Sequence, residues 1–128
     1  MSQISTHLMF DGVAQQAMEF YVNLFPHSEI TELKLYEEGV LTGKVQRARF
    51  YLADQAFVCI DTPVKNEYTF SPSTSIYFEC ESEEEINRLF SILSEGGEVY
   101  KALANHGLSE KYAWFSDRFG VAWQLTYN

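Results

Sequence analysis

The sequence predicts an α+β fold built from two βαβββ modules, and three observations carry that reading. Two stretches place apolar residues at three-and-four spacing, the period of a helix with one buried face, while most of the others are strand-like runs. The order strand, helix, three strands occurs twice. Aromatic residues make up 16% of the 128 positions, with ten Phe and eight Tyr, a content suited to packed sheet and foreign to disordered chains. A chain of this length buries about two-thirds of its unfolded surface, so a single domain over residues 1–128 is expected.

In the first module, about residues 1–61, Ile4 to Phe10 reads as a strand that Asp11-Gly12 breaks. Ala14, Ala17, Phe20, Tyr21, Leu24 and Phe25 then form one apolar stripe, and Pro26-His27-Ser28 ends the helix because proline cannot continue its hydrogen-bond ladder. Glu29 to Glu37 alternates imperfectly, as a strand with one wet face does. After a loop at Glu38-Gly39, Lys44 to Ala53 and Ala56 to Asp61 read as a hairpin turning at Asp54-Gln55. Thr62 to Pro72 holds two prolines, an Asn and several polar residues, and reads as a linker.

The second module, about residues 73–128, opens with a strand over Ser73 to Cys80. Ser82 is a helix N-cap with Glu85 at the third helical position, the two ends of a capping box. Ile86, Leu89, Phe90 and Leu93 give that helix its stripe, and Gly96-Gly97 stops it. Glu98 to Ala104 is a further strand and Asn105-His106-Gly107 a turn. Tyr112 to Phe115 and Val121 to Leu125 then flank Ser116 to Gly120 as a closing hairpin. Ala17, Phe20, Tyr21 and Leu24 fall on Ile86, Leu89, Phe90 and Leu93 at an offset of 69, from 17 to 86. Phe57 to Ile60 falls on Ala122 to Leu125 at an offset of 65, which pairs Cys59 with Gln124. Hydrophobic pattern and element order repeat here, not residue identity.

The net charge of −9 repels phosphate backbones and anionic lipid, so neither nucleic acid nor a membrane is an expected partner. Three cations between Lys44 and Arg49 form too small a patch to reverse this. With no signal peptide, no run of eighteen apolar residues, and only Cys59 and Cys80 inside apolar strands, the chain reads as cytoplasmic with reduced thiols. Neither glycine cluster has the spacing of a nucleotide-binding loop, so no cofactor is expected. His7, His27 and His106 are isolated in sequence, which leaves no preformed metal set; His7, in a strand, reads as structural. Glu83-Glu84-Glu85 complements a helix dipole, and Asp117, beside Lys111 and Arg118, caps its own turn. Gln124, between Trp123 and Leu125, is either buried and paired or lines a cavity.

Two motifs then resemble a known family: Leu8-Met9-Phe10-Asp11-Gly12 followed by Ala17-x-x-Phe20-Tyr21-x-x-Leu24-Phe25-Pro26-x-Ser28, and Trp114-x-x-Asp117-x-Phe119-Gly120-Val121-x-Trp123-Gln124-Leu125. They resemble the PhnB-like family, also labelled a 3-demethylubiquinone-9 3-methyltransferase domain, within the vicinal oxygen chelate superfamily of glyoxalases, bleomycin-resistance proteins and extradiol dioxygenases. The resemblance implies a cupped mixed β-sheet with helices on its outer face, a homodimer, and a ligand site enclosed by the sheet. Ligands in metal-using members come from the first and last strands of each module, which implies corners at Thr6, Cys59, Ser75 and Gln124. Only Cys59 is a strong ligand type among them, and a one-residue slip would bring His7 to a corner.

The expected function is therefore small-molecule binding, with a small apolar or aromatic ligand held against Phe50, Cys59, Trp114, Trp123 and Gln124. No metal is assigned, and no catalytic residue. The alternative is a metal-dependent enzyme of the same superfamily, of lyase, isomerase or dioxygenase type. A third possibility is an interaction module whose sheet edges build a dimer. The methyltransferase label is not supported by any glycine-rich strand-to-helix loop.

Overall fold

The computed structural model describes residues 2–62, 69–107 and 109–128. Most of the expected linker, residues 63–68, lies outside the described residues. The chain divides into two compact units, residues 1–68 and 69–128.

The first unit runs β1 (Thr6–Phe10), α1 (Ala14–Val22), β2 (Glu29–Leu35), β3 (Val45–Leu52) and β4 (Gln55–Asp61). Its sheet has the order β1-β4-β3-β2, with β1 parallel to β4 and the other pairs antiparallel. Ala14, Ala17, Met18 and Tyr21 are the buried face of α1. The helix stops at Val22, one turn before Pro26. There the Asn23 side-chain amide donates to the Glu19 carbonyl at 2.9 Å and Leu24 N bonds back to the Tyr21 carbonyl, tightening the last turn. No side chain of the helix's own start caps it. Asp61, buried at the end of β4, accepts instead from Ala14 N at 3.0 Å and from Val45 N at 2.9 Å, pinning helix and sheet together through one carboxylate.

The β3–β4 turn is made by Ala53 and Asp54, with φ of 48° and 69°. That is the two-residue hairpin geometry that matches strand twist, and it shifts the expected turn by one residue so that Gln55 joins β4.

The second unit runs β5 (Ile76–Glu79), α2 (Glu83–Leu93), β6 (Glu98–Ala104), β7 (Lys111–Ser116) and β8 (Ala122–Tyr127), with the sheet order β5-β8-β7-β6. Again the first and last strands are parallel and the others antiparallel. The Ser82 half of the capping box at the start of α2 forms, with Glu85 N donating to Ser82 Oγ at 3.0 Å, while the Glu85 carboxylate accepts from Glu81 N at 2.8 Å, one residue ahead of the N-cap. Ile86, Leu89 and Leu93 bury its stripe. Past its end, Gly97 passes so close to β7 that a methyl group in its place would lie 1.9 Å from the Ser116 carbonyl oxygen.

The fold is thus the expected α+β arrangement of two βαβββ modules, of the glyoxalase and bleomycin-resistance type. Both cysteines are free thiols, Cys59 fully buried and Cys80 nearly so. Among the described residues no helix is long and apolar enough to cross a membrane.

Candidate ligand-binding site

Strand alternation gives each sheet one face toward its helix and one away from it. In the second unit Phe115 meets Phe90 of α2 edge-on, with ring centroids 5.5 Å apart, so Phe115 and its partner Trp123 face the helix. Trp114, one residue along, points the other way. Its partner Gln124 does too, and so does Tyr77, which pairs with Gln124 on the far side. Tyr77, Gln124 and Trp114 therefore form a row across three strands on the helix-free face.

Hydrogen bonds to flanking residues fix Gln124 and Trp114 in the row. Tyr112 Oη donates to Gln124 Oε1 at 2.6 Å, and Gln124 Nε2 donates to Ser75 Oγ at 2.9 Å. Burial raises the Tyr112 phenol above its usual range, with the neighbouring Tyr77 adding to the shift. Trp114 Nε1 donates to the Pro72 carbonyl at 3.2 Å, and its ring lies 5.0 Å from that of Tyr100, whose hydroxyl meets Ser116 Oγ at 2.8 Å. His106 stands edge-on to Tyr112 and holds the Ala102 carbonyl through Nε2 at 2.7 Å. The arrangement is an aromatic wall with one oriented amide, in which Trp114 and Gln124 are half-buried and Tyr77 is exposed. Such a surface stacks planar apolar groups and offers few, fixed polar contacts.

The five expected wall residues separate. Trp114 and Gln124 share the helix-free face of the second unit. Trp123 is on the opposite face, 1% exposed, with its indole N–H donated to Asp117 Oδ2 at 2.9 Å. Phe50 is fully buried in the first unit and stacks on Phe57 at 5.2 Å. Cys59 lies against the Met18 sulfur of α1 at 4.0 Å, and burial, with Asp61 nearby, pushes its thiol up to about 12. Phe50, Cys59 and Trp123 are core side chains with no surface to offer a ligand. Residues the sequence did not single out, Tyr77, Tyr100 and Tyr112, complete the wall. For Tyr112 the signal is its period-two spacing from Trp114 along β7, legible only once the face is known.

The register also corrects the corner positions. Val58, not Cys59, occupies the place of Gln124, because Val58 pairs with His7 and Arg49 as Gln124 pairs with Tyr77 and Trp114. The strand offset is 66, from 58 to 124, and at the level of this row the helix-free positions of the first and last strands are His7, Val58, Tyr77 and Gln124. Val58 has no donor atom, and the Gln124 amide is engaged by Tyr112 and Ser75. Neither pair, His7 with Val58 in the first unit or Tyr77 with Gln124 in the second, fits a divalent metal. Among the described residues no three His, Cys, Asp or Glu side chains converge.

Asp117 is structural, as expected of a turn carboxylate. It accepts from Phe119 N at 2.8 Å and Val121 N at 3.0 Å as well as from Trp123. Lys111 pairs with Glu83 at 3.0 Å and bonds Asn87. In the first unit a hollow of about 630 Å³ lies beside the β1–α1 turn, walled by Val13, Val40, Leu41 and Lys44, whose ammonium donates to the Gly12 carbonyl at 3.0 Å.

A solved PhnB protein from Bacillus cereus, described as a 3-demethylubiquinone-9 3-methyltransferase, is 42% identical, with 99% of this chain and 100% of that one covered at a TM-score of 0.95. A protein from Pseudomonas aeruginosa is 26% identical over 100% of this chain and 98% of its own, at a TM-score of 0.87. The fosfomycin resistance protein FosX from Listeria monocytogenes shares the fold at 16% identity, covering 99% and 91%, with a TM-score of 0.63. No curated protein matches. The 3-demethylubiquinone-9 3-methyltransferase family model matches residues 2–126. The chain belongs to that family, the PhnB-like family, whose fold is that of the vicinal oxygen chelate superfamily.

Proposed function

We propose that this chain is a small-molecule-binding protein of the vicinal oxygen chelate type, taking a planar apolar or aromatic ligand on the helix-free face of its second sheet. The observation that carries the reading is the row Tyr77, Gln124 and Trp114, in which an amide fixed by Tyr112 and Ser75 stands between two aromatic side chains. An amide held at both ends costs little ordering on binding and selects orientation, while the rings supply the apolar area. Gln124 already uses one amide proton on Ser75; its second is the polar contact available to a ligand acceptor. The methyltransferase name belongs to the family and to the Bacillus cereus relative, and it is not carried over to this chain. Self-association into a homodimer is part of the same proposal, and light scattering reads it directly.

The test is a screen of aromatic compounds monitored at the indole N–H resonances. The Trp114 resonance is expected to shift saturably with at least one compound while that of Trp123, bonded to Asp117 in the core, stays in place. A library that moves neither resonance, or both equally, contradicts the proposal.

A further inference from the structure

The equivalent row in the first unit has a different chemistry. Where the second sheet carries Tyr77, Gln124 and Trp114, the first carries His7, Val58 and Arg49, paired across β1, β4 and β3. Cys59 faces α1, so these three face away from it. Arg49 does not stay over its own strand. Its Nη1 donates to Ser5 Oγ at 3.2 Å and Gln3 Oε1 at 3.3 Å, so the side chain crosses β4 above Val58 and brings its guanidinium to the β1 side. Ser5 and His7 are two residues apart, about 6.6 Å along an extended chain, which puts both on the face the guanidinium reaches.

Neither bond gives Arg49 a counter-charge. Among the described residues its partners are two neutral oxygens at long range, although the chain carries eighteen acidic residues against nine Lys and Arg. The nearest acid by register is Glu32, paired across from Arg49, and its carboxylate is held by Arg47 through Nε at 2.7 Å and Nη2 at 2.6 Å. Arg49 is half-buried, so its charge is partly removed from water without an ion pair. Ser5 accepts from Arg49 and keeps its own O–H to donate, and His7 carries at least one ring N–H. The half-buried Val58 forms an apolar floor beneath.

We infer that the helix-free face of the first sheet binds a small oxyanion, a carboxylate or phosphate group, between the Arg49 guanidinium, the Ser5 hydroxyl and the His7 imidazole. A guanidinium fork matches two oxygens of either group, and the flanking donors complete the shell. The site rests on the first unit alone and stands independently of the aromatic ligand proposed for the second.

The full chain, isotopically labelled, is titrated by NMR with inorganic phosphate and separately with acetate, at constant pH and with chloride holding ionic strength. Saturable shifts at the His7 ring, the Val58 amide and Arg49 Nε are expected with at least one anion. Which anion saturates assigns the ligand as phosphate-bearing or carboxylate-bearing. Arg49→Gln is expected to weaken binding about tenfold or more, from loss of a charge-assisted bond. Arg49→Lys keeps the charge but not the fork and weakens it as well, which covers the case in which the Gln variant does not fold. Lys34→Gln, on the same face but away from the row, leaves the midpoint unchanged. Shifts that grow linearly with both anions, or equal effects of the Lys34 and Arg49 substitutions, show diffuse attraction only and overturn the inference.

Discussion

Gln124 Nε2 stands 2.9 Å from Ser75 Oγ, joining the last strand of the second sheet to the residue just ahead of its first. The same amide accepts from Tyr112 at 2.6 Å, so one neutral side chain ties together β7, β8 and the entry to β5. Gln124→Leu keeps the volume and removes both bonds. The expected cost is about 1–2 kcal/mol in urea unfolding, since each net hydrogen bond contributes about 1 kcal/mol. A change within about 0.3 kcal/mol of zero would show that water replaces the network freely.

Two buried carboxylates accept from backbone N–H groups. Asp61→Ala removes the acceptor of Ala14 N and Val45 N, and Asp117→Ala removes that of Phe119 N, Val121 N and the Trp123 indole. Each buried donor that loses its acceptor costs about 1–3 kcal/mol, and each carboxylate serves two such donors, Phe119 N being only part-buried, so both substitutions are expected to destabilise by about 2–6 kcal/mol. Asp61→Asn retains one acceptor and falls between wild type and Ala. Equilibrium unfolding of the three variants checks the order.

Gly97→Ala pushes a methyl group into the Ser116 carbonyl. The obstacle is backbone in the middle of a sheet, which yields less than a side chain does. A loss of about 2 kcal/mol or more is expected, in the upper part of the overpacking range. Melting temperatures of Gly97→Ala and Gly107→Ala make the comparison, because Gly107 has open space around it and a cost that comes from its positive φ alone.

Burial pushes both thiols up to about 12, with Asp61 adding to the shift at Cys59 and Glu85 at Cys80. A thiol raised above its unfolded value stays protonated in the folded chain while the unfolded chain ionises. The unfolded state then binds fewer protons, and stability falls as pH rises from about 8.5 toward 12. The Tyr112 phenol, also raised, adds to the same slope above about 10. Replacing both cysteines with Ala is expected to flatten the decline measured by denaturant midpoint between pH 8 and 10. Native protein at pH 8 is expected to react with a thiol reagent only after denaturation, which exposes two groups.

Much of this fold was legible because its signals are local. The stripe Ile86, Leu89 and Leu93, the Ser82–Glu85 capping box and the β6 bounds Glu98 to Ala104 follow from spacing and side-chain chemistry within a few residues. The face of each strand was less legible. Phe57 to Ile60 is almost wholly apolar, so its sequence carries no alternation, and a one-residue slip exchanges Cys59 for Val58 at the position equivalent to Gln124. The same ambiguity placed Trp123 beside Trp114, whereas neighbours along a strand point to opposite faces. Asp61 was read only as the end of a strand. Its role depends on Ala14 and Val45, 47 and 16 residues away, which no local pattern reports.

The central claim is that Trp114, and not Trp123, faces a ligand. In a Trp123→Phe variant Trp114 is the sole tryptophan, and its fluorescence isolates the helix-free face. Titration with aromatic compounds is expected to quench it saturably, with Gln124→Leu weakening the midpoint about tenfold through loss of the oriented amide. Fluorescence that no compound quenches saturably, from a variant whose unfolding remains cooperative, contradicts the account.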